Sequence, residues 1–181
     1  GPEDDPAGIM GLSPEEAFAR IMDEGLTGRA KFVSRGDQSG THTKEQAIWR
    51  SADFNYTEVS TSGAWYVLGG SGMGPTLIMA DQKNAYTLSD IGTFLAYRGE
   101  LDLVSLVDQG DILRNIYSVI AVNPEMHPDT NIDMARNLID FLLSPEIQEF
   151  IGEFGVEEYG QPLFNPCTGG ACEQWGCPPS Q

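Results

Sequence analysis

Strand alternates with helix along the first part of this chain, and that alternation predicts an α/β domain with a mixed, largely parallel sheet. Three observations carry the prediction. Short apolar or aromatic runs recur at residues 31–34, 65–68 and 85–88. Each runs into a segment rich in Gly, Ser, Asp or Pro, and each such segment feeds a stretch with helical character. Parallel strands need crossover connections of this kind, because a two-residue hairpin cannot join them.

The elements follow in order. Ser13, Pro14 and Glu16 open a first helix: Ser13 caps it, Pro14 suits its first position, and Glu16 completes a capping box. Ala17, Phe18, Ile21 and Met22 form its apolar face, and Gly25 is expected to stop it. Residues 31–34 read as a short buried strand, followed by a loop and a helix over 42–50. Residues 65–68 form a second strand, residues 69–75 a flexible glycine-rich loop, and residues 76–83 a helix. A third strand is expected at 85–88, with a helix from Ser89 and Asp90 to about Arg98. Residues 101–107 and 115–122 are two further expected strands.

Beyond Asn123 and Pro124 the pattern becomes helical. Ile132, Ala135, Leu138, Ile139 and Leu142 share one helical face, and Ile147, Phe150, Ile151 and Phe154 share another after the break at Ser144 and Pro145. Both stripes need a cover. Residues 166–181 are rich in Pro, Gly and Ser with little apolar periodicity, and read as a disordered tail. The three cysteines, Cys167, Cys172 and Cys177, all fall there. Their C-x4-C-x4-C spacing lacks the C-x2-C knuckle and histidines of common zinc sites, leaving incidental thiols, a disulfide or a metal clip as readings.

At 181 residues the chain holds one domain, or one domain and part of another. Its formal charge of −17 arises from 27 acidic against 10 basic residues and offers no basic stripe for nucleic acid. No apolar run approaches the ~20 residues of a membrane helix. The N-terminal residues have neither the basic nor the apolar region of a signal peptide.

One stretch carries chemistry: Ser34, Arg35, Gly36, Asp37, Gln38, Ser39, Gly40, Thr41 and His42. A strand that ends in a glycine-containing loop and feeds a helix N-terminus is suited to an anion. First-turn N–H groups lack helical acceptors, and the helix dipole adds about half a positive charge. Ser39 and Thr41 add hydroxyls, Arg35 adds a permanent charge, and Gly36 and Gly40 permit close approach. An ordinary capped loop with a surface arginine has the same composition. Arg35, Gly36 and Asp37 also spell an integrin-binding tripeptide, which recurs by chance. No Gly-Lys-Ser/Thr follows, so this is not a P-loop. The loop at 69–75 is neither a nucleophile elbow nor a dinucleotide fingerprint, because Met73 and Pro75 stand where glycines are required. His42 offers a base for Ser39 or Thr41, but no partner to orient it is evident, and His127 precedes a proline in a turn. No catalytic residue and no metal-ligand cluster is expected.

The chain resembles the tungstate-binding proteins of ABC importers, a branch of the type II periplasmic-binding fold. The resemblance begins with Phe32, Val33, Ser34, Arg35, Gly36 and Asp37, then Ser39, Gly40, Thr41, His42 and Glu45. It continues through Trp65 and Tyr66, through Gly72, Met73, Gly74, Pro75, Thr76 and Leu77, and through residues 85–90, 117–124 and 144–146. It implies that Arg35 and Thr41 hold the oxyanion, tungstate or molybdate, with Ser34, Ser39 and Gly40 as neighbours. It implies no cofactor, since the metal lies within the bound oxyanion. Partners would be the importer permease and, at the membrane, only that permease or an N-terminal anchor outside this chain. The location would be extracellular or periplasmic.

The resemblance also implies an incomplete protein. The family's first lobe has no counterpart here, so the sequence starts just after the first hinge strand. Residues 1–118 would form the complete second lobe, and 119–165 the return hinge strand and two helices of the other, incomplete lobe. Alternatives stay open: a phosphate or sulfate binder, in which Asp37 accepts a ligand proton; a ligand-sensing domain; and a hydrolase using His42.

Overall fold

The computed structural model describes residues 1–166. The three cysteines and the tail after residue 166 lie outside the described residues. By internal contacts the chain forms two units, Gly1–Arg114 and Asn115–Gln181.

In the first unit, helix α1 (Pro14–Leu26) starts on the expected capping box: Ser13 accepts from the Glu16 N–H while the Glu16 carboxylate accepts from Ser13. Gly25 does not stop this helix. It lies inside and is buried, and a Cβ there would sit 2.5 Å from the Trp65 ring, so close packing explains it. Strands β1 (Phe32–Ser34) and β2 (Tyr66–Leu68) pair in parallel, Phe32 opposite Tyr66 and Ser34 opposite Leu68. Between them come α2 (Gly40–Ser51) and a short α3 (Tyr56–Thr61) capped by Asn55, which polar composition had hidden. Helix α4 (Met73–Gln82) follows β2, and α5 (Ile91–Ala96) is capped by Asp90. Helix α4 begins three residues earlier than the Gly-Pro run suggested. Pro75 falls in its first turn, where a missing N–H costs no helical bond.

The sheet is smaller than the sequence implied. The third segment pairs with β1 through a single parallel bridge, Phe32 with Tyr86, rather than as a strand over 85–88. Its ladder is short because Ser89 and Asp90 already turn into the cap of α5. Residues 101–107 give only isolated bridges, and the antiparallel one joins Leu103 to Pro2, whose nitrogen has no hydrogen to extend it. Residues 115–122 adopt no regular structure. A strand needs a neighbour, and none pairs with them among the described residues.

Pleating divides the core. Phe32, Tyr66 and Tyr86 face a cluster with Phe18, Ile21, Ile48, Trp49 and Trp65, while Val33 and Ala85 face a second with Met73, Leu77, Ala80 and Leu103. Helices therefore cover both faces of the small parallel sheet, as buried parallel strands require. Rings in the first cluster lie 4.6 Å (Phe18–Trp49) and 5.8 Å (Phe32–Tyr66) apart, within the range of favourable aromatic pairing.

The second unit holds α6 (Ile132–Leu143), α7 (Pro145–Glu153) and a short α8 (Val156–Tyr159) after the left-handed Gly155. The two predicted stripes are present, and α6 packs against α7. Yet none of the three helices buries a residue, and Leu138, Phe150 and Phe154 are exposed.

Candidate functional site: two parallel strand ends

The parallel pair aims both of its following loops to one edge, the carboxyl end of the sheet, where open α/β sheets bind ligands. The two loops are stitched together: Gly69 N–H donates to the Ser34 carbonyl (2.8 Å) and Gly70 N–H to the Arg35 carbonyl (2.9 Å). Two helix N-termini, α2 at Gly40 and α4 at Met73, start from these loops, and neither has an acidic residue in its first turn. Their dipoles leave partial positive charge at that edge.

Arg35 follows β1 directly. Its Nε donates to Asp37 Oδ2 at 2.8 Å, with both side chains partly covered, so the guanidinium is held while its terminal nitrogens are left out of this contact. Asp37 Oδ1 accepts from the Ser39 N–H (3.1 Å). Hydrogen bonding to Ser39, aided by Arg35, holds the Asp37 carboxyl below its ordinary value against some desolvation. Both oxygens thus serve the loop itself. Gly36 between them has φ +64°, in the left-handed region that glycine adopts without cost. Gln38 also has positive φ (60°), a conformation that costs a side-chain-bearing residue roughly 1 kcal/mol or more and needs support.

The support comes from below. Gln38 N–H donates to His42 Nδ1 (3.0 Å), and His42 Nε2 meets the Tyr56 hydroxyl at 2.6 Å. Because Nδ1 accepts, the ring proton belongs on Nε2. His42 is buried and does have orienting partners, contrary to the sequence expectation. They turn the ring away from the role once open to it, a base for Ser39 or Thr41.

The five predicted ligand residues divide. Arg35, Ser39, Gly40 and Thr41 lie together on the loop and the first turn of α2. Ser39 caps α2 by accepting from the His42 N–H (3.3 Å), and its side chain also hydrogen-bonds the Asp37 carboxylate. Ser34 is fully buried, and its hydroxyl donates inward to Glu45 Oε2 at 2.6 Å. Glu45 also accepts from Tyr66 OH (2.5 Å) and Trp49 Nε1 (3.1 Å). Burial pushes the Glu45 carboxyl up while these three donors oppose it, and burial together with Glu45 pushes the Tyr66 phenol far up. Sequence reading gave Glu45 no role. Its position between Lys44 and Gln46 resembles a solvated face, and the one local signal was Trp49 four residues on.

Residues 1–146 match the family model of the PBP superfamily domain. The chain is 49% identical over 173 residues to a putative ABC transporter anion-binding protein of Haloferax volcanii, covering 92% of this chain and 47% of that protein. It is 39% identical over 169 residues to the tungstate-binding protein TupA of Peptoclostridium acidaminophilum, covering 92% and 56%. Among solved structures, TupA from Desulfovibrio alaskensis G20 superposes with TM-score 0.79 at 37% identity, covering 92% of this chain and 64% of that one. The chain thus spans about half the length of the curated relatives it matches.

Proposed function

The chain belongs to the PBP superfamily, and from that premise we propose that it serves as part of an ABC importer's solute-binding protein for tungstate or molybdate. The observation that carries the reading is Arg35, held by Asp37 at the end of β1 beside the N-terminus of α2. Arg35 supplies the charge and Thr41, Ser39 and the first-turn N–H groups of α2 supply further donors. Ser34 sets where the loop begins. Residues 1–118 act as one lobe, and the return hinge and α6–α7 belong to the other, whose remainder lies outside this chain. The cleft closes only when both lobes are present. The complete protein works in an extracellular or periplasmic setting and delivers its oxyanion to a membrane permease.

Preference for tungstate or molybdate over phosphate follows from the donor set. These dianions carry no proton at neutral pH, whereas phosphate brings one that needs an acceptor. Asp37 is the acceptor at hand, but both its oxygens already take hydrogen bonds within the loop.

The test is calorimetric titration of the gene's complete product with tungstate. Charge-assisted hydrogen bonds are worth ~1.5–3 kcal/mol each, so Arg35→Ala should weaken binding at least about tenfold. Unchanged affinity removes Arg35 from the site. Equal affinity for phosphate in competition shows that an acceptor reads the ligand's proton, and replaces tungstate with a phosphate-type ligand.

A further inference from the structure

We infer that Glu45 is a positioning residue for the anion loop, acting from inside the core through one hydrogen-bonded network that grips both ends of the Arg35–Gly36–Asp37 segment. This rests on the proposed oxyanion function and goes beyond it, because Glu45 touches no ligand.

The network can be followed atom by atom. Glu45 projects from α2 and accepts from Ser34, the last residue of β1 and the one just before Arg35. It also accepts from Tyr66 on β2 and from Trp49 one helical turn along. One carboxylate therefore ties β1, β2 and α2 together beneath the loop. The Tyr66 hydroxyl lies 3.3 Å from that of Tyr56, which meets His42 Nε2 at 2.6 Å, and His42 Nδ1 accepts from the Gln38 N–H. Gln38 is the residue just after Asp37. A single proton order uses each of these hydrogens once: His42 Nε2 to Tyr56, Tyr56 to Tyr66, Tyr66 to Glu45.

The segment that carries Arg35 is thus clamped at Ser34 and at Gln38 by one connected set of side chains. Ser34 and Glu45 are 0% and 1% exposed, so water cannot replace a lost partner cheaply. Removing the acceptor at Glu45 leaves three buried donors unmatched and frees both clamps. Gln at this position keeps the connection: its oxygen accepts from Tyr66 and Trp49, and its NH2 group donates to the Ser34 oxygen.

The experiment uses the gene's complete product with Glu45→Leu, Glu45→Gln, Arg35→Ala and the Glu45→Leu/Arg35→Ala pair. Two readouts are taken: tungstate affinity, and hydrogen exchange at the Gln38 amide without ligand. Glu45→Leu should weaken tungstate at least about tenfold, whereas Glu45→Gln should stay within about threefold of wild type. In the Arg35→Ala background, Glu45→Leu should add less than about twofold, because it acts through Arg35. The Gln38 amide should exchange at least about tenfold faster in Glu45→Leu than in wild type. Tyr56→Phe cuts the network at a half-buried point, and takes the place of Glu45→Leu if that variant does not fold. Unaltered Gln38 exchange in the folded variants, or full additivity with Arg35→Ala, overturns the inference. If wild-type protein fails to bind tungstate, the proposed ligand falls, and the exchange result alone decides the role of Glu45.

Discussion

Residues Gly1–Arg114 and the helices of the following unit obey the same amphipathic rule with opposite results. In the first unit the apolar faces of α1, α2 and α4 close on a small sheet, and Trp49, Ile48 and Leu77 are at most 1% exposed. In the second, α6 and α7 carry equally clear stripes, but Leu138 is 53% exposed, Phe150 61% and Phe154 47%. Periodicity marks a face that wants cover. It does not supply the cover, and a helix pair alone has too little area to provide it. We propose that the cover comes from a part of the complete protein outside this chain.

The largest effect should separate the two units by core truncation. Trp49→Ala should destabilise by about 3–5 kcal/mol, because it empties the centre of an aromatic cluster. Phe150→Ala should cost less than about 1 kcal/mol in this chain, since its side chain is already largely exposed. Urea denaturation followed by circular dichroism measures both. A comparable loss at Phe150 would show that α7 is packed in solution, and the contrast would collapse.

Association comes next. Burying one large apolar side chain contributes ~1.5–3 kcal/mol, so the bare stripe should draw copies of this chain together. Sedimentation should show concentration-dependent oligomers, and Leu138→Glu with Phe150→Glu should abolish them without lowering the melting temperature. A wild-type monomer at high concentration would break the comparison.

A smaller effect is expected at the helix caps. Ser13→Ala removes half of a capping box on the packed helix α1 and should cost about 1 kcal/mol of global stability. Asn131 caps α6 by accepting from Met134 N–H at 3.0 Å. Its replacement by alanine should fray α6 locally and leave the midpoint of the first unit unchanged, as read by amide exchange.

The smallest effect is a pH slope that burial produces in the packed unit. Glu45 has its carboxyl pushed above the ordinary 4.5 by burial. The folded state therefore holds that proton more tightly than the unfolded chain, and stability falls as pH rises from about 4.5 through the raised value. Glu45→Gln lacks this loss, so its urea midpoint should gain on wild type as pH rises across that window. Parallel curves would mean that Glu45 titrates as it does unfolded.

Much of the fold could be read from local residue order. Ser13, Pro14 and Glu16 announced α1 because a cap is a contact between residues three apart. Arg35 with Gly36, and Ser39 with Thr41, marked the loop we propose for the anion, because the loop and the helix start that follows it are contiguous. Strand extent was less legible. Residues 101–107 and 115–122 have strand composition, yet a ladder depends on what lies alongside, and there Pro2 ends one pairing while the other has no partner among the described residues. Gly25 was misread for a related reason: its need for no side chain comes from Trp65, forty residues away.

The sequence alone determined the alternation of strand and helix, the caps, the two C-terminal stripes and the chemistry of the Arg35 loop, all properties set within a few residues. The tertiary structure decided that the 69–75 loop lies beside the Arg35 loop, that Ser34 turns its hydroxyl inward, and that Glu45, His42, Tyr56 and Tyr66 form one network beneath them. Glu45 and Tyr66 are 21 positions apart in the chain, and a hydrogen bond between them exists only because two parallel strands and a crossover helix bring both into the same buried space.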